Sequence, residues 1–540
     1  MESENFVVSF ISFQSRQMKQ QLWLYSVKIG AIFFMVLDKI VAPIFWVLSW
    51  KRSKKIPPVE HKIFEISAKN LAKMIRKKEI NSEEVVRRYI NRINKVNPIL
   101  NAVVQDRFVE AIHEACTVDE WLRQTSLSID EIERGYPLLG VPITIKESCK
   151  VKGMSFCVGT NVRKGMIADE DGEVVKRIKS SGAIPLLVSN TPEICFGIES
   201  DNFVTGRCNN PYNTNYTCGG SSGGEGALLG SACSVIGIGS DLAGSIRVPS
   251  LFNGIFGHKP TANLVPNRDH YPIIHDEDFY EYLVLGPMCR YSEDLRLVLN
   301  VMTNHPINLN EKVDMKKVTV YHTEDTGNLF FVNNVNQDVR DAIKKCADHL
   351  KHHCKAKLNN SKIIDLEKCF DMGLSLFFGV KNKPDLLLDQ VNPPKRYNIV
   401  SEFIKLQFKR STLNYNSLAY DFLTNTHSFL TVKDNDYYRD MLDHLKTNLM
   451  NTLGQYGVIL FPTMPGPTFQ HGYSPLKCAG VVYSMIFNIL GFPATHVPLG
   501  LNKQGLPIGV QVIASPHRDA VCLSVAEELE VRFGGWVAPF

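Results

Sequence analysis

Between Gly219 and Thr261 the chain reads GGSSGGEGALLGSACSVIGIGSDLAGSIRVPSLFNGIFGHKPT, which holds two Gly/Ser-rich corners, Gly219 to Gly224 and Ser240 to Ser245. Glycine admits positive φ and close backbone approach, so glycines around serines can aim several N–H donors at one point, as an oxyanion requires. At the second corner the chain leaves an apolar strand, roughly Ser234 to Ile238, turns at Ala243-Gly244 and is predicted to enter a helix near Ile246. That puts Ser245 at a helix N-terminus, where N–H groups and the helix dipole stabilise charge developing on an attacked carbonyl oxygen. Ser245 is therefore the candidate nucleophile. A serine hydroxyl needs a neighbouring base. Ser221 in the first corner is the candidate relay, and Lys146, at the end of the strand-like Val141-Pro142-Ile143-Thr144-Ile145, the candidate base. Neither corner contains a histidine, which argues against a histidine-based triad there. Lysines at strand ends are ordinarily solvated; only its company with the two serine corners singles Lys146 out. Asp241 and Arg247 flank the nucleophile and read as a structural ion pair fixing the loop, with Ser222 supporting the same backbone.

Lys146 in PITIKES, the GGSSGGEGAL corner and the SDLAGSIRVPS corner resemble the amidase signature, and the intervals between Lys146, Ser221 and Ser245 suit that family. The resemblance runs from about Ile63 to the C-terminal FGGWVAPF. It is carried further by NGIFGHKP (Asn253 to Pro260), GPMCRYSEDL (Gly286 to Leu295) and PLGLNKQGLPIGVQV (Pro498 to Val512), and is weakest in the middle. It implies an α/β fold with a mixed, twisted central β-sheet surrounded by helices. It further implies a Ser-cisSer-Lys triad of Ser245, Ser221 and Lys146 and an oxyanion hole from the N–H groups of Leu242, Ala243, Gly244 and Ser245. The chemistry implied is amide hydrolysis through an acyl-enzyme, with no cofactor and no metal, and with a homodimer left open. Family members acting on fatty-acid amides carry Gly where Ala243 stands, and others accept Ala; a positive φ there would cost Ala up to ~1 kcal/mol. Fatty-acid amides as substrates follow from the resemblance together with the N-terminal segment described below. Cys195 and Phe196 are candidates for the substrate channel by loop position alone.

Three other readings compete: a general small-amide amidase, an inactive membrane-anchored scaffold derived from an amidase, and the amidase subunit of a transamidosome. The filled triad positions speak against the scaffold, and the N-terminal segment speaks against the transamidosome.

That segment, Leu22 to Trp50, has two apolar runs, Ile29 to Leu37 and Ile40 to Trp50, interrupted by Asp38-Lys39 and marked by Trp23, Trp46 and Trp50. A central charged pair is costly at the bilayer midplane, so a single span, a re-entrant hairpin and an interfacial helix all stay open. The expected organisation is a membrane anchor or interfacial helix over 1–50, a basic linker over 51–60 and a catalytic domain over 61–540. Lys51, Arg52, Lys54 and Lys55 narrowly outweigh Arg16, Lys19 and Lys28, which keeps the body on the cytosolic side of an endoplasmic-reticulum or lipid-droplet surface. Thirteen cysteines, an odd number without a CxxC pair, read as free thiols in a reducing compartment and agree with that placement. A net charge of +5, with no basic stripe and interleaved aromatics, excludes a nucleic-acid partner.

The elements that must position the chemistry alternate. Asn81 starts a helix that buries Val85, Val86, Tyr89, Ile90 and Ile93 on one face. Val141, Ile143 and Ile145 alternate as a strand, leaving Thr144 and Lys146 on its other side. Further strands are expected over Ala183 to Val188, Tyr456 to Phe461 and Leu506 to Ala514, with helices over Gly172 to Ser181 and Asp519 to Glu530. Ile399, Phe403, Ile404, Leu406 and Phe408 among Lys395, Arg396, Lys405, Lys409 and Arg410 form a basic amphipathic stretch, suited to a lipid interface or to an ordinary surface helix. Asn308 to Lys395 carries no motif.

Overall fold

The computed structural model describes residues 53–303, 307–324, 334–360 and 436–539, with scattered residues of 25–47 and of 368–421. Its strands are β1 (Val103–Asp106), β2 (Pro142–Lys146), β3 (Ile184–Ser189), β4 (Ile236–Asp241), β5 (Phe256–Lys259), β6 (Val284–Cys289), β7 (Thr319–His322), β8 (Lys357–Asn359), β9 (Leu388–Asp389), β10 (Lys395–Arg396), β11 (Gly457–Phe461), β12 (Ala494–Leu501) and β13 (Pro507–Ala514). Eleven of them build one sheet in the order β1-β3-β2-β4-β6-β5-β12-β13-β11-β7-β8, while β9 and β10 pair apart. β2 lies between parallel neighbours β3 and β4, the strands from β4 to β11 run antiparallel, and β7 and β8 are parallel again at the far edge. This is the mixed central sheet that the alternating pattern predicts. The motif-poor stretch supplies β7 and β8, so its described part serves the sheet edge.

The helices that matter for the site are α1 (Ser82–Leu100), α2 (Glu173–Ser180), α3 (Gly223–Gly230), α4 (Arg247–Asn253), α5 (Ile399–Gln407) and α6 (Asp519–Phe533). α1 starts at Asn81 as expected and buries Val85, Val86, Tyr89, Ile90 and Ile93. Asn81 itself makes no side-chain cap; instead the Asp119 carboxylate accepts the N–H groups of Ser82 and Glu83 at 2.7 and 2.9 Å. β4 begins two residues later than expected because the N–H groups of Cys233 and Ser234 close α3 on Leu228 O, at 2.7 and 3.2 Å. It then runs on to Asp241, paired with Val284 of β6.

Residues on both faces of β2 are buried, since helices cover both sides of a parallel region. The parity is the predicted one: Thr144 Oγ1 donates to Glu225 Oε2 of α3 at 2.6 Å, and Lys146 points to the same side. Burial pushes the Glu225 carboxyl up to about 7, against the bonds from Ser189 and Thr144 that pull it down. All twelve described cysteines are free thiols.

Trp23, Trp46, Trp50 and Asp38 of the expected anchor lie outside the described residues, as do Lys51, Arg52 and Lys409. Among those described, Val41 and Phe45 pack on the body beside Val248, Leu251, Phe252 and Tyr473, with the Phe45 and Tyr473 rings stacked 4.4 Å apart. Val36, Ile40, Ile44 and Val47 are exposed. Among the described residues no helix is long and apolar enough to cross a membrane.

The start of α3 is pressed against the exit of β3. Gly224 N–H donates to Asn190 O at 3.0 Å, and a Cβ on Gly224 would lie 2.5 Å from Asn190 N and 2.6 Å from Asn190 O. Backbone atoms cannot rotate away, so Gly224→Ala is expected to lower stability by roughly 1–3 kcal/mol and to displace the corner carrying Ser221. A thermal unfolding midpoint equal to that of the parent would contradict this.

Candidate active site

β2 delivers Lys146 at its C-terminal end, and the corner before α3 brings Ser221 to meet it. Lys146 Nζ lies 2.6 Å from Ser221 Oγ and 2.8 Å from Ser240 Oγ at the end of β4. Lys146 and Ser240 are buried, and Ser221 is 2% exposed. The Gly220–Ser221 peptide bond is cis. Lys146 makes no ion pair among the described residues. Burial strips water from the ammonium and holds its pKa below the ordinary lysine value; Cys195, Cys149 and Asp241 oppose the shift without reversing it.

Ser245 lies in the turn between β4 and α4, half-buried, with Ile246 as the helix cap. Ser222 N–H donates to Ser245 O at 3.1 Å, which fastens the two serine corners together. Ser222 also reaches the other corner through its hydroxyl, which lies 3.3 Å from both Ser240 O and Ser240 N.

Beneath the turn sits the Asp241–Arg247 pair, with both side chains fully buried. Arg247 grips the carboxylate with two nitrogens, at 3.1 and 3.0 Å, and extends the frame to Gln511 Oε1 at 2.9 Å and Asn488 Oδ1 at 2.6 Å. Asp241 also accepts from Asn488 Nδ2 at 2.9 Å and from the backbone N–H of Gly244 and Ile246, at 2.6 and 3.1 Å. Burial pushes this carboxyl up, but the Arg247 charge and hydrogen bonds, with Asn488, outweigh it and hold the group well below the usual carboxylate range.

The frame changes the expected donor set. Of the four N–H groups read from the sequence, that of Gly244 is turned inward to Asp241, because a buried carboxylate needs every donor it can reach. Those of Leu242, Ala243 and Ser245 make no hydrogen bond within the described protein. Gly244 takes φ +109°, where a side chain would be strained and its Cβ would press on Ser484 Cβ at 2.7 Å. Ala243 is not among the positive-φ residues, so the cost foreseen for an alanine there does not arise.

Of the two channel candidates, Cys195 comes close enough to Lys146 to interact with it electrostatically, while its Sγ lies 3.4 Å from Thr191 Oγ1. Phe196 joins Ile194, Leu413 and Leu418 in a small apolar cluster under α5, together with Phe403 and Leu406. Sequence reasoning missed Ser240 and His270. Ser240 stood inside a quoted corner without a role, and His270 carries no motif, yet its Nε2 lies 2.8 Å from Ser240 Oγ.

One metal-like group occurs among the described residues, far along the chain from the triad. His349 Nε2, Cys354 Sγ and a Glu528 oxygen lie within 4.8 Å of one another. Glu528 Oε1 already accepts from Cys354 at 3.1 Å and lies 2.8 Å from His349 Nε2. Burial, with Glu528 beside it, pushes the thiol up to about 12, which keeps it protonated, and His349 Nδ1 has no partner to orient the ring. The group reads as a hydrogen-bonded cluster.

An α/β sheet with serine corners at strand ends beside a buried lysine is the frame of an amide hydrolase, and the family model for amidases matches residues 84–523. The chain belongs to the amidase signature family. It is 38% identical over 495 residues to fatty-acid amide hydrolase 2 of Homo sapiens, covering 90% of this chain and 92% of that one. To fatty-acid amide hydrolase 2-B of Danio rerio it is 36% identical over 513 residues, covering 94% and 96%. A solved fatty acid amide hydrolase shares the fold with a TM-score of 0.71 at 21% identity, over 88% of this chain and 86% of that one. The protein is thus an amide hydrolase closely related to fatty-acid amide hydrolase 2.

The ion-pair frame generates a stability prediction. Arg247→Met leaves Asp241 buried without its partner and is expected to cost roughly 3–5 kcal/mol. Thermal or urea unfolding of purified protein checks this, and an unchanged midpoint would remove Arg247 from the frame.

Proposed function

We propose that the protein hydrolyses fatty-acid amides at a lipid surface, by acyl transfer through Ser245, Ser221 and Lys146. The observation that carries this reading is the 2.6 Å contact between a buried lysine, without an ion-pair partner among the described residues, and a buried serine. Lys146, as the neutral amine, draws the Ser221 proton while Ser221 takes that of Ser245. The freed Ser245 Oγ attacks the amide carbonyl, and the N–H groups of Leu242, Ala243 and Ser245 stabilise the oxyanion. The proton returns through Ser221 to the leaving amine, and water then hydrolyses the acyl-enzyme.

Two apolar stripes support the lipid surface. Val36, Ile40, Ile44 and Val47 are exposed on the segment whose Val41 and Phe45 face the body. Val400 and Ile404 of α5, with Phe408 at its end, form an exposed i, i+4, i+8 stripe over the cluster that holds Phe196. An interfacial helix with such a face binds in proportion to buried apolar area. A long acyl chain gains about 0.8 kcal/mol per buried methylene in the same lipid, so an enzyme docked there meets concentrated substrate. The body then faces the cytosol, in keeping with its free thiols.

Labelling by a serine-reactive phosphonate tests the nucleophile. Ser245→Ala is expected to abolish both labelling and hydrolysis in folded protein; retention of more than a few per cent of activity would refute the assignment. Lys146→Ala is expected to lower activity severely and to leave a residue that rises steeply with hydroxide, because solvent replaces the base. In the parent, activity rises with pH as Lys146 loses its proton, at a pH below the ordinary lysine value, since burial favours the neutral amine.

Deleting residues 1–55 is expected to release much of the protein from vesicles, with turnover of a soluble short-chain amide nearly intact. Turnover of a long-chain amide in vesicles falls by a larger factor. A specificity constant favouring acetamide-like over oleamide-like substrates would replace this reading with a general amidase.

A further inference from the structure

We infer that His270 is a positioning residue for the base: it takes the Ser240 proton, so that Ser240 accepts from Lys146 and the Lys146 lone pair is left for Ser221. This rests on the proposed role of Lys146. His270 is 2% exposed. Its Nε2 lies 2.8 Å from Ser240 Oγ, Ser240 Oγ 2.8 Å from Lys146 Nζ, and Lys146 Nζ 2.6 Å from Ser221 Oγ, so four side chains form one buried line. The ring is stitched to the loop that follows Lys146: Cys149 and His270 form a backbone bridge, and Tyr271 N–H donates to Ser148 O at 3.0 Å.

The argument is a count of protons. A neutral lysine has two N–H donors and one lone pair. Ser240 has one proton to give and two neighbours that can take it, the Lys146 lone pair and His270 Nε2. If it goes to Lys146, the lone pair is occupied and cannot draw the Ser221 proton. If it goes to His270, the Ser240 oxygen turns its own lone pairs to a Lys146 N–H, and the remaining Lys146 lone pair faces Ser221. The second arrangement requires His270 neutral with its proton on Nδ1. Burial pushes the imidazole well below its ordinary value, and Lys146 when protonated pushes it the same way, so the ring is neutral in either form of the lysine. Nδ1 has no partner in the described protein, so Ser240 is the ring's one hydrogen-bonding contact there. The other titratable groups facing Lys146 are Cys195 and Cys149 from the loops, Asp241 at the end of β4 and Glu225 on α3. Asp241 is held by Arg247 and Glu225 Oε2 by Thr144, and among the described residues neither carboxylate is hydrogen-bonded to the Ser240 hydroxyl, whose contacts are Lys146 and His270.

The test compares His270→Gln with His270→Met, side chains of similar size of which only the first presents a strong acceptor. Activity is expressed per phosphonate-titrated site, so that misfolded protein drops out. His270→Met is expected to lose on the order of 10- to 100-fold in kcat, with little change in KM. Its acid limb should move to lower pH, because Ser240 now donates to the neutral amine and stabilises it. His270→Gln should restore most of the activity and the limb. In a Ser240→Ala background, where no proton competes for the base, His270→Met should cost almost nothing more. Additive losses in the two backgrounds with an unmoved pH limb would overturn the inference. Failure of the underlying reading shows separately, as a Lys146→Ala protein that keeps the parental pH profile.

Discussion

A primary amine with no counter-ion among the described residues, set on an interior strand of the sheet, is the constraint on which the rest of the structure depends. Burying a cation without a partner is costly, and a lysine avoids that cost by giving up its proton. Lys146 meets the condition because β2 is flanked by parallel strands on both sides and covered on both faces. A parallel sheet of this kind needs crossover helices, and the helix crossing from the first corner back to the sheet, α3, is the one that Ser221 precedes. The topology that removes water from the amine also brings the Ser221 hydroxyl to within 2.6 Å of it.

The loop bearing Ser245 is built on the opposite electrostatic principle. Asp241 and Arg247 are as buried as Lys146 but form an ion pair, in which each satisfies the other and the remaining donors and acceptors come from Gln511, Asn488 and the turn itself. Such a pair adds little net stability over an apolar substitute, but it fixes geometry, since every N–H it recruits is pinned. Gly244 shows the consequence. Its N–H is drawn inward, while those of Leu242, Ala243 and Ser245 have no partner among the described residues. The loop is thus pinned by charge, while burial beside it favours the uncharged form of Lys146, and the two halves meet through Ser222.

How much of this was legible in the sequence depends on the range of the signal. The strand parity that put Lys146 and Thr144 on one side needed only alternation, and the serine corners announced themselves by glycine, because a backbone as close as Gly224 to Asn190 tolerates nothing larger. The mixed sheet followed from the alternation of helix and strand. β4 starts two residues beyond the expected Ser234, because the closure of α3 on Leu228 O leaves no mark in composition. His270 was invisible for a different reason: it reaches Ser240 through a turn tied to Ser148, a contact between segments distant in sequence that no local pattern encodes. The inward Gly244 N–H was missed likewise, since a list of nearby N–H groups does not say which of them a buried carboxylate will claim.

Lys259 shows why burial alone does not make a base. It is as buried as Lys146, and burial, with Arg247 nearby, pushes it down to about 7, so burial lowers both interior lysines. Yet Lys259 Nζ donates to the carbonyl oxygen of its own neighbour Pro260, at 2.9 Å. A carbonyl oxygen accepts a hydrogen bond and has no proton to give, so that contact can hold the end of β5 but cannot begin a transfer. Lys146 instead faces hydroxyls, Ser221 and Ser240, each of which can both give and take a proton. What separates the two lysines is the chemistry of their partners, and a hydroxyl on either side of the amine makes the direction of each proton decisive for whether it is free to act.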